Sequence, residues 1–127
     1  MKKTGWIMTA LLLAFLLPAS VAPKLIQAQV AVDALVQIGW SPSWLLALGV
    51  LELALLVLYT LPRTAALGAV LFTALLGGTV ASHLRAGSPL ASHTLFGVYL
   101  GIFLWMALYF RDPALRAFVR SSLGGKP

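Results

Sequence analysis

Residues 44–61 read WLLALGVLELALLVLYTL, and Pro62-Arg63 follows at once. This stretch holds one charge, Glu52. At about 1.5 Å of rise per residue an α-helix of this length covers roughly 27 Å, close to the ~30 Å of a bilayer's hydrocarbon core. Three comparable runs flank it. Trp6 to Ala22 is uncharged and ends at Pro23-Lys24; Ala65 to Leu84 carries only His83; Leu95 to Phe110 ends at Arg111-Asp112-Pro113. Pro and Gly punctuate the gaps, as helix stops do. The expectation is an all-α integral membrane four-helix bundle, one membrane domain over 1–127 with spans near 6–22, 44–61, 65–84 and 95–110.

Composition supports that reading. The chain is 61% hydrophobic and only 9% charged, with a mean hydropathy of +0.97. A soluble domain carries about 25% charged residues. Too few charges remain to clothe a water-facing surface, which argues against a soluble enzyme, a disordered chain and a nucleic-acid binder. The net charge of +6 sits at the ends of apolar runs, where it orients a membrane protein rather than building a DNA surface. Lys2, Lys3, Arg63, Arg111, Arg116, Arg120 and Lys126 fall on one side; Lys24 and Arg85 fall on the other. Seven against two predicts both termini in the cytoplasm and a multi-pass protein of the inner (plasma) membrane. Trp6, Tyr59, Trp105 and Tyr109 are expected toward the inner face, and Trp40, Trp44 and Tyr99 toward the outer. The lack of cysteine excludes disulfides, thiolate metal sites and dithiol redox chemistry within the chain.

Lys2-Lys3, the run Ile7 to Leu17 and Ser20-Val21-Ala22 imitate a signal peptide. Proline at position 23 disfavours cleavage, so a retained first helix is expected. Pro18 is expected to kink or end it locally. In the long first connection, Leu25, Val32, Leu35, Val36 and Ile38 interleave with Gln27, Gln29, Asp33 and Gln37. A short interfacial helix over about 24–38 follows, stopped by Gly39, with Ser41 or Ser43 capping the next helix. It either covers the bundle mouth or forms a lid over a cavity. The basic tail, 111–127, has the pattern of an amphipathic helix on the inner leaflet, where each cation near anionic lipid adds about 1 kcal/mol.

Helices in lipid associate through small residues and polar contacts. Gly97 and Gly101 form a GxxxG with Trp105 one turn on, and Ala69, Thr73, Gly77 and Ala81 form a small-residue stripe. Packing within the bundle and a homodimer seam are both open on this pattern.

Glu52 is the most informative residue. It lies about 12 Å inside its span from Trp44 by helical rise. A carboxylate at that depth costs about 2.5–3.5 kcal/mol on insertion scales and must face the bundle interior or a wet cavity. Gly49, one turn before it, leaves room for a partner group or ligand. The residue is either hydrogen-bonded to neighbouring helices or a contact for a proton or ligand. Thr79, Ser82 and His83 share one face near the outer end of the third span; His83 can titrate or hydrogen-bond. Arg85 reads as a snorkelling anchor or a site residue. Lys24 either pairs with Glu52, holds an anionic head group, or anchors at the interface. The candidate ligand-binding set is therefore Glu52, Lys24, His83, Arg85, Gly49 and Ser82. Glu52, His83 and His93 lack the spacing of a metal motif, and no metal is expected. Asp33 and Asp112 fall on opposite membrane sides, so no hydrolytic triad forms, and there is no phosphate-binding glycine loop. No catalytic residue is assigned.

Pro23-Lys24-Leu25, Gly39-Trp40-Ser41-Pro42, Gly49-Val50-Leu51-Glu52-Leu53, Leu61-Pro62-Arg63, His83-Leu84-Arg85-Ala86-Gly87-Ser88-Pro89 and Arg111-Asp112-Pro113 occur in this order over roughly residues 10–115. In that order and spacing the chain resembles the DoxX-like membrane proteins. The resemblance implies a four-helix membrane bundle, with Lys24, Glu52, His83 and Arg85 at recurring polar positions. It also implies a link to quinone-dependent sulfur oxidation or thiol-stress responses, which some relatives show. Vitamin K epoxide reductases are distantly similar bundles, but their mechanism depends on cysteines absent here. The expected function is binding of a quinone or other lipophilic ligand, or service as an accessory subunit of a membrane redox system. The alternatives are a small proton-coupled transporter using Glu52 and a purely structural subunit. The small multidrug resistance family is similar in length, but its acid lies in the first span. Expected partners are the lipid bilayer, a membrane redox partner or a second copy, and no nucleic acid.

Overall fold

We describe the protein from a computed structural model covering residues 1–124; Lys126, counted above on the inner side, lies outside the described residues. Four helices are long and apolar enough to cross a membrane: α1 (Lys2–Leu25), α3 (Pro42–Thr60), α4 (Ala65–Ala86) and α5 (Leu90–Arg111). Two short helices complete the chain, α2 (Gln29–Gln37) after the first span and α6 (Pro113–Ser122) at the end. The described residues contain no strand. The chain is a multi-span, all-helical membrane protein.

The first span is longer than the 6–22 expected, and the reason is local. Proline lacks an N–H and its ring clashes with the carbonyl four residues back. Pro18 does not end the helix, because Leu17–Val21 widens into a π-turn and the Ala22 N–H bonds to the Leu17 carbonyl. Helix then resumes through Ala22–Leu25. The expected helix at 24–38 is thus divided: Lys24 belongs to the last turn of α1, and α2 starts only at Gln29. Gln27, at φ 54°, makes the break.

The other ends obey recognisable stops. Gly39, at φ 87°, ends the α2 segment, and the Ser41 hydroxyl accepts from the Ser43 N–H as a cap. α4 runs past Leu84 to Ala86 and stops at Gly87, φ 73°, with Ser88 N–H bonded to the His83 carbonyl at 3.1 Å. That is the bond pattern of a Schellman cap. The fourth span begins earlier than expected, with a π-turn over Leu90–Thr94. Asp112 caps α6 by accepting from Ala114 N–H at 3.0 Å.

The four spans form a closed ring. α1 packs on α5 along its first half and on α3 at its last turns, while α4 packs on both α3 and α5. Leu12, Leu16, Leu55, Leu56, Phe72, Leu104 and Leu108 fill the centre. Leu11, Leu46, Val50, Val57, Val70 and Ile102 are exposed on the outside. That girdle would be an aggregation surface in water and is the ordinary surface of a helix bundle in lipid. Gly97 of the GxxxG lies against the Leu76 carbonyl, where a Cβ would come within 3.2 Å, so this seam is used inside the bundle. Trp105 Nε1 donates to Thr73 Oγ1 at 2.7 Å across the same pair. Gly77, in contrast, has nothing within 4 Å of a built Cβ, so the stripe on α4 is only partly used.

Two residues expected at the inner interface are buried instead. Tyr59 is fully buried, and its hydroxyl donates to the Leu104 carbonyl at 2.6 Å. Arg111 is 4% exposed. Its guanidinium donates to the Tyr59 and Thr60 carbonyls at the end of α3 and lies over the Trp6 and Tyr59 rings, 4.4 and 4.7 Å from their centroids. A cation at the negative end of a helix dipole, flanked by aromatic faces, is stabilised without a carboxylate. It ties α1, α3 and α5 together at one end of the bundle.

Candidate functional site

The opposite half of the bundle is hollow. A cavity of about 400 Å³ lies between α1, α3, α4 and α5, with the α2 segment over it. Its walls are mostly apolar, with Phe15, Leu48, Phe72, Leu76 and Leu100 among them, and its polar lining includes Ser20, Lys24, Glu52, Thr79, His83 and His93. Apolar walls with a few placed polar groups are the usual make-up of a small-molecule site, and the volume falls at the small end of the ~300–1,000 Å³ range.

Glu52 is 5% exposed. Lys24 Nζ donates to Glu52 Oε2 at 2.7 Å and to Ser20 Oγ at 2.6 Å, and Ser20 Oγ donates to the same Oε2 at 3.0 Å. The π-turn at Pro18 carries Ser20, and Lys24 follows one turn later on the same face of α1. The proline therefore has a local consequence: the turn it widens supplies a hydroxyl to the buried acid. Gly49 is what lets α1 come this close. A Cβ built there would stand 2.8 Å from Lys24 Cβ and 3.3 Å from the Leu25 backbone nitrogen. Glu52 Oε1 takes no hydrogen bond from the described residues, yet it is not among the sealed, unpartnered atoms. It is the unbonded oxygen of a carboxylate that lines the cavity.

His83 and His93 line the outer part of the cavity with ring centroids 6.0 Å apart, edge to face. Each Nδ1 is engaged by a serine hydroxyl, Ser88 at 2.9 Å and Ser92 at 2.8 Å. Among the described residues no three His, Asp or Glu side chains gather as a metal site.

The two remaining candidates act on the cover rather than lining the cavity. Arg85 Nη2 donates to the Ile38 carbonyl at 2.8 Å, and Trp40 Nε1 donates to Ser82 Oγ at 3.1 Å. Both bonds tie the end of the α2 segment to α4. Gly39 suits this turn because its φ is in the left-handed region, and a Cβ there would displace the tip of Arg85. Ala31, Ala34, Leu35 and Ile38 of the same segment face the cavity. The α2 segment therefore lies over the cavity and contributes to its wall.

The sequence candidates thus separate. Lys24, Glu52 and His83 share the cavity; Gly49 sets the spacing of α1 and α3; Ser82 and Arg85 fasten the cover. Ser20 was missed, although its four-residue spacing from Lys24 was visible. Arg111 was read only as a positive-inside charge, since nothing local marks it as buried.

The profile of the DoxX-like family matches residues 7–107. The chain belongs to the DoxX-like family. No curated protein and no solved structure matches it. The matched span takes in every cavity-lining residue of this DoxX-like protein, from Phe15 to Leu100.

Proposed function

We propose that this DoxX-like protein binds a small lipophilic ligand of the quinone or lipid class in the cavity beside Glu52, as an accessory component of a membrane redox system. The observation that carries the reading is the unbonded Oε1 of a buried carboxylate that lines a mostly apolar cavity. An acid in hydrocarbon is costly enough to be a functional-site candidate by default. Its charge is compensated by Lys24, so the cavity combines a hydrophobic body site with a fixed polar contact. His83 and His93 add a second polar contact toward the mouth, as donor or acceptor according to tautomer. Any electron transfer would then reside in the ligand and an external partner. The charge tally favours cytoplasmic termini, with the cavity then in the outer half of the inner membrane.

The test is saturable binding of a decyl-tailed benzoquinol, kept reduced, to purified protein in lipid nanodiscs. Binding by the wild type, weakened in Glu52→Gln or His83→Ala, is the expected result. Unchanged affinity in both variants removes the residue assignment, and no saturable binding by the wild type removes the function.

A structural role is the second reading, because the Lys24–Glu52 pair also pins α1 to α3. It predicts lower abundance of Glu52→Gln with no ligand effect. Proton-coupled transport has less support, since the Glu52 carboxylate is already engaged by Lys24 at 2.7 Å and by Ser20 at 3.0 Å.

A further inference from the structure

The head group and the access route of that ligand both follow from where the cavity is open and which atom is unused. Toward the outer surface, α2 and its two ties to α4 cover the cavity. Phe15 of α1 and Phe96 of α5 both line the cavity and both keep a large exposed area. Their rings meet edge to face, centroids 5.9 Å apart. Nearer the chain's termini the same two helices are in close backbone contact, because Gly5 lies against the Ala107 carbonyl. So α1 and α5 are in backbone contact at one end of the bundle, and toward the other Phe15 meets Phe96.

The unused atom is Glu52 Oε1. An ionised carboxylate is an acceptor only. Lys24 and Ser20 both occupy Oε2, so a ligand meets an acceptor with no donor of its own to offer. A head that donates an O–H is received; a head that offers only an ether or carbonyl oxygen faces that acceptor unpaired. We infer that the cavity takes a tailed amphiphile from the bilayer, its hydroxyl head donating to Glu52 Oε1 and its tail leaving between Phe15 and Phe96. This rests on the cavity reading above and narrows it to a chemical class. The volume agrees: about 400 Å³ holds a ring-sized head, and a long chain needs an exit.

Two experiments test it. The first compares 4-dodecylphenol with 4-dodecylanisole, matched in ring and tail but differing in the O–H, as ligands of wild-type protein in nanodiscs. The phenol is expected to bind about 10- to 100-fold more tightly, the worth of a hydrogen bond to a charged group. In Glu52→Gln, whose amide both donates and accepts, the ratio is expected to fall below about threefold. Equal affinity of the two probes for the wild type, or binding of neither, overturns the inference. The decyl-quinol assay judges the cavity reading separately, so the two can fail independently.

The second experiment uses the chain's lack of cysteine. In a Phe15→Cys/Phe96→Cys double variant, a short bifunctional thiosulfonate spans only these two positions, both on the exposed surface. Bridging is expected to slow phenol association at least about tenfold, and reduction of the bridge to restore it. Unchanged association of the bridged protein overturns the lateral route.

Discussion

Replacing Lys24 by Met removes the cation and keeps most of the stem's volume. The effect can be sized from the geometry. Breaking a fully buried pair costs about 3–5 kcal/mol, because the remaining charge is stranded. Here the Lys24 side chain is 26% exposed, so part of its charge is already hydrated in the native state. Glu52 also keeps the Ser20 hydroxyl. Both effects reduce the loss, and we expect Lys24→Met to cost about 2–3 kcal/mol. Glu52→Gln leaves Lys24 bonded to Ser20 Oγ and free to reach solvent, for a cost of about 1 kcal/mol. The double variant strands no charge and is expected to cost only about 1–2 kcal/mol, well under the sum of the single changes. That implies a coupling of roughly 2 kcal/mol between the two side chains. Reversible unfolding in mixed micelles of increasing dodecyl sulfate content, followed by far-UV circular dichroism, measures all four proteins. Additive costs, within about 0.5 kcal/mol, would refute the direct pair and with it the orientation of Glu52.

Arg111→Met removes the donors to the Tyr59 and Thr60 carbonyls and the cation over Trp6 and Tyr59. A loss of about 2–3 kcal/mol is expected in the same titration, and an unchanged midpoint would contradict the buried placement. Trp105→Phe deletes one hydrogen bond between α4 and α5; bonds of this kind between membrane helices average about 0.6 kcal/mol, so a loss above about 2 kcal/mol would mean the indole does more than bridge to Thr73. For topology, a cysteine at Ser41 is expected to react with a membrane-impermeant maleimide in intact cells. One at Ser122 is expected to react only after permeabilisation, and the reverse pattern would invert the orientation.

The spans, their number and most of the helix stops were legible because they depend on short-range chemistry. Runs of apolar residues set span length, Gly39 and Gly87 supply the left-handed backbone that ends helices, and Ser41 supplies a cap. Glu52 was legible as a site candidate for a different reason: burying a charge in hydrocarbon is costly wherever the chain goes. The sequence also singled out Lys24 and His83, but without saying what each would meet.

Those meetings belong to the tertiary structure. Whether Lys24 turns inward depends on α1 staying helical past Pro18, and a widened turn decided that. Whether Arg85 and Ser82 touch a ligand or a cover depends on where the Ile38 carbonyl and the Trp40 indole arrive, over forty residues away in sequence. Arg111 looked like any interfacial cation until the end of α3 and the Trp6 ring closed around it. Hydropathy is a sum over neighbours along the chain, so one sequence carries it. A cavity is the space left when four helices fail to fill their common axis, and no single stretch of residues encodes it.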